Sequence, residues 1–169
     1  MANIELELNP IDFITIGTIG PKGQRMFHLQ AGRDDEIVAL TIEKEQASAL
    51  GDAIRELLDD LDKRYAQPEG RTTFDFSRLN MDLREPIEPL FRVAQMGLGY
   101  DEDRNLVVLV AQELVVVDED ESREAVEPGI VRMWCSRSQM AALSAHALQI
   151  VQSGRPDPKL NGRIVYYWT

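Results

Sequence analysis

Twice along this chain, short runs with a period of two give way to a stretch with a period near 3.6, and that order limits the folds open to it. Ile4 to Leu8 alternates apolar and acidic residues and reads as a strand with one buried face. Phe13 to Ile19, Met26 to Ala31 and Ile37 to Ile42 follow, all β-like in composition. Ala47, Leu50, Ile54, Leu57, Leu58, Leu61 and Tyr65 then step by three and four, the apolar stripe of an amphipathic helix. A second series starts with Phe91 to Tyr100, continues through Leu106 to Val117 and Ile130 to Cys135, and ends in a helix over Ser136 to Ser153. Ser136 and Gln139 have the spacing of a capping box. Arg163 to Trp168 reads as a last strand.

The two series look alike. A shift of 93 places Val38 on Val131, Gln46 on Gln139, Ala49 on Ala142 and Leu50 on Leu143. The expectation is an α+β protein made of a tandem β-β-β-α pseudo-repeat, with a mainly antiparallel sheet and one amphipathic helix packed per repeat. The halves span approximately 11–65 and 90–154, joined by an irregular stretch, 66–89, that holds Pro68, Pro86 and Pro89. Phe74, Phe76, Leu79 and Leu83 imply that this connection packs onto the rest. One such unit has too little core to stand alone comfortably, so residues 1–169 are expected to form a single compact domain. An open sheet edge would suit a homodimer contact.

Charge removes whole classes of partner. The chain carries 29 acidic against 18 basic residues, a net charge of −11. Phosphate backbones are held chiefly by Lys and Arg, so nucleic acid is not an expected partner. Anionic membrane surfaces are disfavoured for the same reason, and no apolar run approaches the roughly 18 residues of a membrane span. Met1 to Pro10 lacks the basic start and apolar centre of a signal peptide. The one cysteine, Cys135, leaves no internal disulfide and no multi-cysteine zinc site. A cytoplasmic location is the expectation.

The segment Gly17 to Arg25, GTIGPKGQR, has the glycines and cations of a phosphate cradle but not the order of one. Lys22 is followed by Gly23 rather than by Ser or Thr, and a strand follows instead of a helix whose N-terminus could face an anion. A hairpin turn accounts for each residue. His28 and His146 are far apart in sequence and read as packing residues, not as a metal pair. Cys135, just before a helix, is the one candidate nucleophile. Glu43 and Glu45 suit the dipole of the first helix better than an acid/base pair. The acidic stretch Asp118 to Glu127 lacks the spacing of a calcium loop. Trp134, Tyr166, Tyr167 and Trp168 read as core or edge cover ahead of a ligand shelf. No catalytic set, metal site or cofactor is expected. If a ligand binds at the seam between halves, the candidates are Lys22, Arg25, Gln46, Arg92 and Gln95.

Several stretches together resemble a known family. FITIGTIGPKGQRMFHLQAG, ALTIEKEQASAL, REPIEPLFRVAQMGLGYDEDRNLVVLVAQE and QIVQSGRPDPKLNG, in this order, resemble the bacterial family of unknown function numbered three thousand and ninety. The resemblance runs from about Phe13 to Gly162. It implies no activity and carries over no catalytic residue. It does imply a cysteine-rich tail resembling a zinc ribbon, and here this sequence departs. Gly154, Arg155 and Pro156 lead through Asp157 to Leu160 directly into Asn161 and Gly162, without cysteines.

The function expected on this basis is a non-enzymatic binding or adaptor module with an unknown protein partner. The alternative is a small-molecule or nucleotide-binding protein, or an enzyme, acting at the seam. A thiol enzyme using Cys135 is the third reading.

Overall fold

A computed structural model describes residues 4–21, 23–65, 80–116 and 127–153. In chain order they form β1 (Glu5–Leu8), β2 (Phe13–Ile19), β3 (Met26–Arg33), β4 (Glu36–Ile42), α1 (Lys44–Arg64), β5 (Pro89–Asp101), β6 (Leu106–Glu113), β7 (Ile130–Cys135) and α2 (Arg137–Ser153). The fold is α+β. Strands from both series join one mixed seven-stranded sheet in the order β1-β7-β6-β5-β4-β3-β2. Four neighbouring pairs are antiparallel, but β1/β7 and β4/β5 are parallel. The β4/β5 pair follows from the helix between them, because a helical crossover returns the chain to start the next strand in the same direction. The strand expected over Leu106 to Val117 stops at Glu113. The expected strand Arg163 to Trp168 lies outside the described residues, as do most of the connection 66–89 and of the acidic stretch.

The sheet is strongly curled. β1 and β2 lie at opposite ends of the strand order, yet only Asn9 to Asp12 separates them. A flat sheet of this width would part its edges by about 29 Å, whereas that connector reaches at most about 17 Å. The backbone bonds close the argument. Ile11 N–H donates to Trp134 O of β7 at 2.9 Å, and Asp12 N–H donates to Gly32 O of β3 at 2.7 Å. Consecutive residues thus bond to the two flanks, and the edges meet there.

The concave face holds the core. Ile14, Ile16, Leu29, Leu40, Val107, Leu109, Val131 and Met133 are buried on it with Leu50, Ile54, Met140 and Leu143 of the helices. Helix α1 buries the stripe that its 3.6-residue period marks, from Ala47 to Leu61. The helices cross at Gly51. Ser144 Oγ donates to Gly51 O at 2.6 Å, and a Cβ on Gly51 would lie 2.8 Å from Leu148 Cγ. On the opposite face, residues 80–86 cover β2 and β3. Leu83 fills the space above Gly17, and the Gln30 amide pairs with both Arg84 N–H and Arg84 O. This part of the connection packs as Leu83 had implied.

The helix contact yields a stability prediction. Gly51→Val gains helix propensity but drives a branched side chain into Leu148 and the Ser144 carbonyl. Urea denaturation is expected to show a net loss of roughly 1–3 kcal/mol, against a gain for a glycine that merely lacked propensity.

Candidate functional site

The parallel join of β4 and β5 is short. Ala39 pairs with Pro89 and Thr41 with Arg92; beyond these, α1 takes the place of β4 beside β5. Gln46, in the first turn of α1, holds the helix to this point. Its Oε1 accepts from Glu43 N–H at 2.7 Å, and its Nε2 donates to Val93 O at 3.0 Å and to Ala94 O at 3.3 Å. Two hollows open on either side of that bridge.

The first is polar, about 390 Å³, and lined by Gly23, Arg25, Phe27, Glu43, Lys44, Glu45 and Arg92 among others. Arg92 is ion-paired with Glu43, the residue that caps α1. Arg25 arrives from the base of the β2–β3 hairpin, where Gly20 and Gly23 take φ of 109° and 90° and Gln24 N–H bonds back to Pro21 O. Gly17 to Ile19 thus end β2, and the described residues between Gly20 and Arg25 turn the chain into β3. Lys44 is the first residue of α1. The second hollow is apolar, about 370 Å³, between α1 and β5. Ala49, Leu50, Ala53, Met96, Leu98 and Leu109 line it, with Gln46 and Gln95 alongside.

Of the five residues named from sequence, the structure gathers Arg25 and Arg92 in the polar hollow, and Gln46 and Gln95 in the apolar one. Lys22 lies outside the described residues. The Gln46 amide is committed to the backbone at both ends, and Gln95 Nε2 donates to Gln112 Oε1 across the β5/β6 pair at 2.8 Å. Lys44 was missed. A helix start was legible there, but not that Arg25 would face it.

The family described as "Protein of unknown function (DUF3090)" matches residues 6–163. The chain belongs to that family. No curated protein and no solved structure matches it. Membership of DUF3090 thus brings no activity with it, and the chemistry must be read from this chain's own groups.

The remaining candidates in this DUF3090 protein are occupied by the fold. Cys135 is fully buried, and burial pushes its thiol far above the usual range, which disfavours the thiolate that a nucleophile needs. Trp134 Nε1 donates to Glu7, with the Arg104 guanidinium over its ring. Tyr166, Tyr167 and Trp168 are outside the described residues. Among the described residues no group of three His, Cys, Asp or Glu could hold a metal ion, and no helix is long and apolar enough to cross a membrane.

A buried cation that the sequence did not advertise lies at the start of α2. Arg137, only 3% exposed, donates to Asn105 Oδ1, Asp62 Oδ1, Tyr65 O and the Tyr100 hydroxyl. It joins the end of α1, the β5–β6 hairpin and α2. Its partners come from two stretches far from it in sequence, the end of α1 and the β5–β6 hairpin, which is why no local pattern revealed it. Removing one member of a buried pair leaves the other uncompensated, so Arg137→Ala is expected to cost about 3–5 kcal/mol, read from chemical denaturation.

The histidines make stability pH-dependent. His28 is held below its ordinary value by burial and then by Arg92. His146 is also lowered by burial, which outweighs the opposing Ile16 backbone and Asp82. Such an imidazole takes its proton first in the unfolded chain, at about pH 6.5. Stability is therefore full above that pH and falls as the pH drops toward the folded values. Urea midpoints are expected to decrease between about pH 7.5 and pH 5.5, and less so in His28→Gln.

Proposed function

We propose that this protein is a non-enzymatic binding module whose site is the seam where β4, β5 and the start of α1 meet. The observation that carries this reading is the pair of hollows flanking Gln46. Residues from both series line them, and none of these lining residues is a cysteine, histidine, serine or threonine. The acid–base groups that do line the polar hollow, Glu43, Lys44 and Glu45, belong to the start of α1, where Glu43 is ion-paired with Arg92; Cys135 is buried away from both hollows.

Duplication of a β-β-β-α unit supports the same placement. Gln139 repeats the Gln46 arrangement, accepting from Ser136 N–H and donating to Ile11 O. Gly51 and Ser144, which touch, are 93 residues apart, the same shift that aligns the two series. A residue on a two-fold axis meets its own equivalent, so this contact is what a tandem repeat predicts. Lys44 and Arg137 are equivalent under that shift. The Arg137 place is filled by its own chain, while the Lys44 place is open.

The alternative, a small-molecule or nucleotide ligand, is favoured by the polar hollow alone. There Arg25, Lys44 and Arg92 face Glu43 and Glu45, a local positive excess in a chain of net charge −11. Cations gathered at a helix start suit a phosphoryl or carboxylate group. Thermal shift across nucleotides and phosphorylated metabolites separates the readings. A ligand at a hundred times its Kd would raise Tm by about 5–10 °C, and Arg25→Ala or Arg92→Ala would abolish the rise. A flat profile in all three proteins is the outcome expected of a module whose partner is another protein.

A further inference from the structure

Beyond Arg92, β5 bonds to β6 on one side and, among the described residues, has no strand on the other. The corresponding flank of β2 is covered: α2 packs along it, and the His146 ring lies against the Ile16 backbone. Beside β5 the helix presents Ala49 and Ala53, both exposed, and the groove of about 370 Å³ remains. A Cβ added to Gly97 would meet nothing within 4 Å. Natural sheet edges are protected by charges, prolines or cover. Ala94 to Tyr100 reads AQMGLGY, with neither a charge nor a proline. Among the described residues, only the Gln46 amide bonds to this flank, at Val93 and Ala94.

An uncovered strand edge specifies the shape of its occupant. Outward N–H and C=O groups are met by an extended backbone, and alternate side chains of an added strand drop into an adjoining apolar groove. Charge specifies the rest. Asp52, Glu56 and Asp60 continue along the exposed side of α1 past Ala49 and Ala53. Asp52 and Asp60 pair with Arg55 and Arg64 of the same helix, while Glu56 has no ion-pair partner among the described residues. A second copy docking edge to edge would set two such helices, on chains of net charge −11, against each other.

The geometry points to strand addition: the β5 edge from Gln95 to Tyr100 takes up an extended segment of a partner protein, with apolar side chains at alternate positions and Lys or Arg at its flank. This rests on the binding-module reading above and names the class of its partner.

The test is selection of peptides of about twelve residues from a displayed library against the full chain, followed by hydrogen exchange on the complex of the chain with the strongest binder. Slowed exchange at Gln95–Tyr100 is expected. Ala53→Trp, at an exposed helix position, should plug the groove and weaken binding about tenfold or more. Glu56→Lys should weaken a basic peptide and strengthen its acid-flanked counterpart, a reversal that mere loss of folding cannot produce. Peptides that protect another surface would overturn the β5 site and leave the module standing. Failure to enrich any peptide would overturn both. Slow exchange at this edge in the chain alone, independent of concentration, would show it covered by the chain itself, and concentration-dependent protection would assign it to a second copy; either result overturns the proposal.

Discussion

A glutamine amide in the first turn of each helix ties that helix to backbone carbonyls of a distant stretch of the chain. Gln46 bonds to Val93 and Ala94, where the β4 pairing of β5 has ended; Gln139 bonds to Ile11, where the chain passes from β1 toward β2. Each amide also closes the start of its own helix through a backbone N–H. The Gln46 bonds set the start of α1 between the two hollows at the seam. A glutamine is well suited to the task because it donates and accepts at once, and an alanine would leave an N–H and a carbonyl unpaired on either side of the joint.

The two helix starts differ in their surroundings. Arg137 is drawn inward by Asp62, Asn105 and the Tyr65 carbonyl, and the space around it is full. Lys44 opens onto solvent-facing cations instead. A buried guanidinium needs all its donors met, which fixes the end of α1, the β5–β6 hairpin and α2 relative to one another.

Much of the fold was legible, for a physical reason. Period-two and period-3.6 runs are local, and they located β2, β4, α1, α2 and the hairpin at GTIGPKGQR. The spacing of Ser136 and Gln139 announced the cap of α2, and both of its bonds are present. The site was legible only in part. Arg25, Arg92, Gln46 and Gln95 do gather at the seam, but Gln46 proved to be a joint, and Lys44 and Arg137 drew no notice. A lysine at a helix start looks the same in sequence whether it faces solvent or two arginines.

The sequence by itself determined element type, the capping box of α2, the acidic balance of charge and the burial of Cys135 within a strand. Each depends on residues within a few positions of one another, where periodicity and side-chain chemistry act directly. Only the tertiary structure decided that β4 and β5 run parallel and then part, that the edges meet at Ile11 and Asp12, and that, among the described residues, β5 has no strand on its flank beside α1. Those outcomes depend on how far each crossover carries the chain and on how closely two helices approach. Such distances are set by packing between residues tens of positions apart, and no local pattern encodes them.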